Sequence, residues 1–222
     1  MTRLRIMTAV AIAAGLLLAA CGGTSVTATS NPPTSSPTNP PMHHHSHTPQ
    51  PDTGSPIPAE SPVPAENNPP GDIPDNTQFV PYHSKAGGFT ISIPEGWSRT
   101  TTKTSVTFTD KLNTVVVSWV PTGTAPTVST ANSKEIPVLR STERAFRLGS
   151  VKSASLPAGQ CVQIDYQANS EPDRVTGKQY RLDVIRYELF KGGTEVAIGL
   201  RSPIGSDNVD PWRIVTESFT WA

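Results

Sequence analysis

Apolar and polar side chains alternate along several short segments of the chain from Phe79 onward. Phe89, Ile91 and Ile93 alternate with hydroxyl residues, so one face of this segment is apolar. A period of two is typical of a half-buried β-strand. Further segments with strand character lie at residues 105–109, 114–120, 160–167, 179–190 and 194–200. The pattern therefore predicts a strand-rich domain in the second part of the chain.

Short turns join two pairs of these predicted strands. Residues 110–113 join the first pair, and Lys191-Gly192-Gly193 joins the second, where glycine supplies the positive φ that a tight turn needs. Strands joined by such turns are antiparallel neighbours. We therefore expect a mostly antiparallel sheet, in which Val162, Ile164 and Tyr166 share one face.

A helix is predicted close to the C-terminal end. Asp210 is placed as its N-cap and Pro211 as its first helical residue. Apolar residues then recur at helical spacing, at Trp212, Val215 and Phe219. This spacing indicates that one face of the helix packs on the sheet.

A second, shorter helix is predicted near residues 131–136, where Pro137 is expected to end it. Together these elements predict an α+β domain over residues 79–222, built as a mostly antiparallel sheet with covering helices. About 140 residues are enough for a hydrophobic core of their own.

The first 20 residues have the pattern of a secretory signal peptide. Arg3 and Arg5 precede an apolar run at residues 6–18, which only Thr8 interrupts. A membrane-spanning helix needs about 20 apolar residues, so this run is too short to span a bilayer.

The end of the run, Leu18-Ala19-Ala20-Cys21, resembles the lipobox of bacterial lipoproteins. In lipobox proteins the cysteine is joined to diacylglycerol, and a signal peptidase cuts immediately before it. The resemblance implies lipidation of Cys21, and two or three acyl chains would make the anchoring stable. An ordinary signal peptide with an incidental cysteine and an uncleaved anchor are the alternatives.

Residues 21–78 are predicted to form a lipid-anchored, disordered tether. Residues 22–81 hold 15 of the 23 prolines of the chain, and Ser and Thr are frequent. Large apolar side chains are rare there, so little surface is available to offset the entropy cost of ordering.

The tether contains four closely spaced histidines: His43, His44, His45 and His47. Neutral imidazoles bind zinc, copper or nickel, so these residues are weak candidate metal ligands. The alternative is a low-complexity segment without a metal role.

The charge balance excludes a strongly basic surface. The chain has 18 Lys and Arg residues and 18 Asp and Glu residues. Nucleic-acid binding is therefore not expected.

Catalytic motifs are missing from the sequence of the predicted domain, which contains one histidine, His83, and one cysteine, Cys161. It has no Gly-x-Ser-x-Gly, His-Glu-x-x-His or phosphate-loop sequence. We expect no catalytic residues, no cofactor and no enzyme activity. His83 is placed in a solvated loop before the first strand. Cys161 is interpreted as a buried inert thiol, with an intermolecular disulfide or a reactive thiol as alternatives.

Three carboxylates fall within predicted strands, namely Asp165, Asp183 and Glu188. Two of them can meet across a sheet as a glycosidase-like pair. In antiparallel sheets such residues more often form ion pairs on the solvent face, here with Arg181 or Arg186.

Residues 206–212 are rich in oxygen atoms, which calcium prefers as ligands. Asp207 and Asp210 also suit helix capping, which is the simpler interpretation.

Two parts of the domain resemble a known family. Its first strand reads Gly-Phe-Thr-Ile-Ser-Ile-Pro-Glu-Gly-Trp at residues 88–97, and its last helix ends in Ser218-Phe219. These segments resemble the edges of PsbP-like domains, and with the lipobox and the Pro/Thr-rich tether the chain resembles the LpqN-type lipoproteins of mycobacteria. The resemblance implies an antiparallel sheet covered by helices and an accessory or binding role in the envelope. It supplies no catalytic residues.

The sequence therefore predicts a cell-envelope lipoprotein on the outer, extracytoplasmic face of the cell membrane. Its domain is expected to be non-catalytic and monomeric, with an envelope protein, a glycan or a lipid as partner. One alternative is a metal-handling lipoprotein that uses residues 43–47. Another is an accessory subunit of an envelope transporter.

Overall fold

The computed structural model describes residues 59–222, which form ten strands and three α-helical segments. In chain order the strands are β1 Phe79–Ser84, β2 Phe89–Pro94, β3 Ser98–Thr101, β4 Ser105–Asp110, β5 Asn113–Pro121, β6 Arg147–Leu156, β7 Gly159–Asn169, β8 Arg181–Lys191, β9 Thr194–Pro203 and β10 Thr220–Trp221. The helices are α1 Val128–Thr130, α2 Ile136–Thr142 and α3 Val209–Glu217, with a π-helical turn, Ala131–Glu135, between α1 and α2.

Seven strands form the main sheet, in the order β3-β4-β5-β9-β8-β7-β6. Every neighbouring pair in it is antiparallel. The predicted hairpins are present as β4–β5 and β8–β9. The α+β fold class with a mostly antiparallel sheet and covering helices is thus confirmed.

One core lies between the main sheet and a small sheet of order β1-β2-β10. The apolar face of β2 is fully buried there, since Phe89, Ile91 and Ile93 are at most 2% exposed. The Phe89 ring lies 5.7 Å from that of Trp119 on β5 and 5.4 Å from that of Phe219, which follows α3. Contacts of this kind fix both the small sheet and α3 on the main sheet.

A second core lies on the opposite face of the main sheet, under α1 and α2. Val162, Ile164 and Tyr166 of β7 are buried there together with Leu139 of α2. This confirms the predicted shared face of those three strand residues. The two cores sit over different halves of the sheet, so each face of the sheet is covered only in part.

Pro137 does not end the second predicted helix. The backbone stays helical from residue 128 to residue 142, and Pro137 stands in the first turn of α2. The π-helical turn before it makes this possible, because the N–H of Ile136 bonds to the carbonyl of Ala131 five residues earlier. At the first turn of a helix proline is tolerated, since its missing N–H needs no partner there.

The start of α3 also differs from the prediction. Asn208, and not Asp210, is the N-cap residue, and Asp210 lies inside the first turn. The Asn208 side chain makes no capping bond, because it binds the segment that precedes β1.

Residues 59–78, which the sequence assigned to the disordered tether, lie against the domain in the structure. Ile73 is 5% exposed and belongs to the first core. We call residues 59–73 the strap. Its backbone is bound by side-chain amides of the domain, a mode of attachment that needs few apolar residues. The signal peptide, the lipobox, the histidine cluster and the rest of the tether lie outside the described residues.

Within residues 59–222 no helix is both long enough and apolar enough to cross a membrane.

Candidate functional site

Helices α1 and α2 cover one face of strands β7 and β8. On the other face of these two strands, some side chains are not fully covered by the small sheet or by α3. They belong to β7 and β8 and point to the same side as the first core. Cross-strand partners on this surface are Gln163 and Tyr187, Asp165 and Ile185, and Gln167 and Asp183. We call these six residues the shelf. All of them are at least partly exposed to solvent.

The polar side chains of the shelf form hydrogen bonds with one another. Gln163 Nε2 donates to Asp165 Oδ1 at 2.6 Å, and Gln167 Nε2 donates to Asp183 Oδ1 at 3.0 Å. From the edge strand β6, Ser150 Oγ donates to Asp165 Oδ2 at 2.7 Å and Lys152 Nζ lies 3.2 Å from the same oxygen. These bonds hold the planar amide and carboxylate groups in fixed positions.

Helix α3 forms a wall along one side of the shelf. A cavity of about 450 Å³ lies between them, and its apolar lining includes Leu156, Leu200 and Trp212. A second cavity of about 640 Å³ continues over the polar side of the shelf and shares Asp183 and Ile185 with the first. The two cavities are therefore neighbours on this face of the sheet.

The shelf environment shifts the protonation of two of its groups. Burial disfavours ionised Asp165, but the hydrogen bonds from Gln163 and Ser150 and the Lys152 ammonium outweigh burial and lower its pKa. Burial raises the pKa of the Tyr187 phenol, and the negative charge of Asp165 raises it further. Near neutral pH the shelf therefore presents an ionised carboxylate and a neutral phenol.

The third strand carboxylate, Glu188, lies on the other face of the sheet. It is 2% exposed, and its Oε1 accepts from Arg186 Nε at 3.0 Å. Arg186 also pairs with Glu135 at 2.8 Å, so the Arg186 ion pairs are on the helix-covered face and not, as predicted, on the solvent face. Burial raises the pKa of Glu188 and, on the same face, of Glu195.

Arg181 donates to the Ala145 carbonyl and to Asn169 Oδ1, and it pairs with no carboxylate among the described residues.

Glu188 and Asp165 do not form a glycosidase pair, whereas Asp165 and Asp183 lie on the same face of the sheet. Such a pair needs one carboxyl group with a raised pKa facing a second carboxylate. Glu188, whose pKa is raised, is separated by the sheet from Asp165, whose pKa is lowered.

Cys161 lies in the first core and is 6% exposed. Burial raises the pKa of its thiol, which keeps the thiol protonated and unreactive. This environment matches the interpretation as a buried inert thiol.

His83 lies within β1, and not in a loop before the first strand, with its Nδ1 2.8 Å from Thr90 Oγ1.

The oxygen-rich segment before α3 does not form the predicted caps. The backbone N–H of Asp207 donates to Asp72 Oδ1, and Asp210 pairs with Arg213 at 3.2 Å. Among residues 59–222, no three His, Cys, Asp or Glu side chains are grouped as metal ligands.

The predicted shared face of Val162, Ile164 and Tyr166 leaves Gln163 and Asp165 on the opposite face of β7, where the structure places them. Sequence reasoning did not predict the shelf, because Gln167, Ile185 and Tyr187 were not singled out. The register of β7 against β8 was the missing information.

No protein-family model matches the chain, and no curated protein matches it. Among solved structures, the cyanobacterial PsbP protein CyanoP from Synechocystis is 15% identical with a TM-score of 0.46, covering 68% of this chain and 98% of CyanoP. LpqN of Mycobacterium tuberculosis, described as involved in cell envelope biogenesis, is 14% identical with a TM-score of 0.39, covering 66% and 91% of the two chains. The Ran-binding protein Mog1p of Saccharomyces cerevisiae is 9% identical with a TM-score of 0.41, covering 65% and 95%.

CyanoP and LpqN carry the names of the families that the sequence motifs resemble. At these identities and TM-scores the similarity does not extend to a ligand or a partner.

Proposed function

We propose that this chain is an envelope lipoprotein, anchored through Cys21 on the outer face of the membrane, whose domain is a non-catalytic module that binds a glycan on the shelf. The observation that carries the proposal is the ordered row of amide, carboxylate and aromatic groups on the uncovered half of the sheet.

The chemistry of the shelf suits a saccharide. Sugar hydroxyl groups both donate and accept, and the shelf offers amide donors and carboxylate acceptors side by side at Gln163, Asp165 and Asp183. Strands are about 4.8 Å apart and alternate residues about 6.7 Å apart, so these groups form a regular two-dimensional array. The half-buried Tyr187 ring adds an apolar surface for the C–H face of a sugar ring.

The shape of the site suits a chain of sugars. The cavity beside α3 and the cavity over β6–β8 share Asp183 and Ile185, so an extended ligand can contact both. Acidic and basic side chains are mixed along these cavities, with Lys152 and Arg147 near Asp165 and Asp183. A ligand of low charge fits such a surface better than a polyanion does.

A non-catalytic role is supported by the environment of Asp165, whose carboxylate accepts hydrogen bonds from Gln163 and Ser150. The shelf carboxylate Asp165 has a lowered pKa, which suits a hydrogen-bond acceptor and not a general acid.

The anchor is supported by the sequence at residues 18–21 and by the Pro-rich segment that follows. A tethered binding module in this position would hold the lipid-anchored protein against the polysaccharide of the envelope. Two binding contacts, one to lipid and one to glycan, would strengthen each other through effective concentration.

The test is co-sedimentation of the full chain with insoluble envelope polysaccharide, followed by calorimetry with soluble oligosaccharides released from it. Tyr187→Ala is expected to weaken binding by about tenfold, which corresponds to about 1.4 kcal/mol. The matched control is Thr107→Ala, a partly exposed residue on β4 far from the shelf along the strand order. The proposal would be contradicted if the wild-type protein did not sediment with the polysaccharide. It would also be contradicted if Tyr187→Ala and Thr107→Ala lowered the affinity for the polysaccharide equally.

A further inference from the structure

A charged cavity of about 780 Å³ lies on the helix-covered face of the sheet, away from the shelf. It opens between the end of α2, the β4–β5 turn and the loop that joins β7 to β8. Leu182, Tyr180 and Pro70 contribute apolar surface to its walls.

The floor of this cavity is a fixed ion pair. Arg201 donates from Nη1 to Glu143 Oε2 at 2.9 Å and from Nη2 to Glu143 Oε1. Tyr166 Oη donates to Glu143 Oε1 at 3.0 Å. Because the Glu143 carboxylate is satisfied from two sides, the floor is rigid and close to neutral.

The rim of the cavity carries three cations, Lys111, Arg144 and Lys178, and two carboxylates, Glu171 and Asp173. Lys111 has no ion-pair partner within residues 59–222. Arg144 uses Nε to donate to Glu171 at 3.0 Å, and Lys178 lies over the Tyr180 ring at 4.5 Å.

The strap places two carboxylates on these cations. Glu66 lies 2.6 Å from Lys178, and Glu60 lies 3.6 Å from Arg144. The Glu60 contact is poor, because Glu60 Oε2 is buried and has no hydrogen-bond partner among residues 59–222. A buried charged oxygen without a hydrogen bond is unfavourable, so an anion with better geometry would compete well with it.

The attachment of the strap allows this exchange. No strap residue belongs to a strand, and near Glu60 its backbone is held by a single side chain, that of Asn169. Asn113 and Asn208 hold the far end at Gly71 and Ile73. The acidic end of the strap is therefore able to lift while its other end remains attached.

We propose that the charged cavity binds a small organic polyanion bearing phosphate or carboxylate groups, and that Glu60 and Glu66 of the strap are internal competitors which this ligand displaces. The charged cavity and the shelf lie on different faces of the sheet. The anion-binding proposal can therefore be tested independently of glycan binding.

Calorimetry of the full chain with citrate and with fructose 1,6-bisphosphate tests the proposal. Flotation with phosphatidylcholine vesicles, with and without cardiolipin, asks whether the same anionic chemistry is taken from a lipid headgroup.

The double variant E60Q/E66Q is expected to bind about threefold to tenfold more tightly, the range that two partly exposed ion pairs provide. R144Q/K178Q is expected to lose binding. Lys103→Gln, which removes an exposed lysine between β3 and β4, is the control and is expected to bind as the wild type does.

Hydrogen exchange supplies a second measurement. The Val63 amide, which donates to Asn169 Oδ1, is expected to exchange faster when the ligand is present, because the strap lifts. The proposal is supported if the protein binds the small anions or the cardiolipin vesicles and the Val63 amide then exchanges faster. Which of the two it binds identifies the source of the anion. Failure to bind in both arms, equal weakening in K103Q and R144Q/K178Q, or unchanged affinity in E60Q/E66Q would overturn it.

Discussion

Asn208 and Asn113 both donate to the carbonyl oxygen of Gly71, each at 2.8 Å, and the Asn208 amide also donates to Asn113 Oδ1 at 3.2 Å. The side-chain oxygen of Asn208, Oδ1, accepts a hydrogen bond from the N–H of Ile73 at 2.8 Å. Two buried amides, 95 residues apart in sequence, thus join the strap, β5 and the start of α3. A buried amide network of this kind is satisfied only when all three segments are in place.

Replacing Asn208 by Ala is expected to lower the free energy of unfolding by about 2–3 kcal/mol, because it leaves buried polar groups of the strap without a partner. Urea unfolding followed by circular dichroism measures the change. Asn132→Ala is the matched control, since Asn132 is exposed and donates only within its own helical segment. Its effect is expected within about 0.5 kcal/mol, and equal effects of the two variants would contradict the network.

Asp165→Asn is expected to change how stability depends on pH. The folded pKa of Asp165 lies below its unfolded value of about 3.9, so the ionised group contributes stability above that pH and loses it as the pH falls through the folded pKa. The stability difference between wild type and variant should therefore be larger at pH 6 than at pH 2.5. Urea titrations at both pH values measure it, and a difference that grows on acidification would show that the sign is wrong.

Cys161 is expected to react slowly with Ellman's reagent in the folded protein. Its thiol is buried and its pKa is raised, so both access and the thiolate fraction are low. In a Cys21→Ala chain, where Cys161 is the only thiol, modification at pH 8 should be at least about tenfold slower than in the same protein in guanidinium chloride. Equal rates in the two conditions would mean that the thiol is accessible.

Cys21→Ala is expected to release the protein from the membrane fraction while leaving its thermal unfolding unchanged. Only a cysteine thiol at position 21 provides the attachment point for diacylglycerol, and position 21 precedes residues 59–222. Fractionation of cells with immunodetection measures the distribution. Retention of the variant in the membrane fraction would refute the lipid anchor.

Six of the ten strands, β2, β4, β5, β7, β8 and β9, were predictable from their apolar patterns. Strands β1, β3, β6 and β10 were not predicted, and all four residues of β3 are exposed. Val115, Val117 and Trp119 alternate with more exposed residues along β5, and this alternation is a local property of the sequence. The same logic places Glu188 on the face of β8 that Val184 shares, which explains why it lies under the helices. Sequence reasoning treated it only as a strand carboxylate.

The strap and the shelf were not predictable, because both depend on contacts that are distant in sequence. Val63 is held by Asn169, 106 residues further on, and a polar amide gives no apolar pattern. The shelf exists because β2 and α3 cover one half of the sheet face and leave the other half open. Which half stays open is decided by the packing of Phe89 and Trp212, and the sequence of β7 and β8 does not reveal it.

The order of the strap's attachments also decides how the domain carries a mechanical load. Tension applied at residue 59 meets the Glu60 ion pair and the Asn169 amide first, then Glu66, and only afterwards the bonds at Gly71 and Ile73. These attachments yield one after another, and the strands are loaded only when the last has broken. A pull applied at residue 59 is therefore expected to break the contacts of the strap before it unfolds the strands.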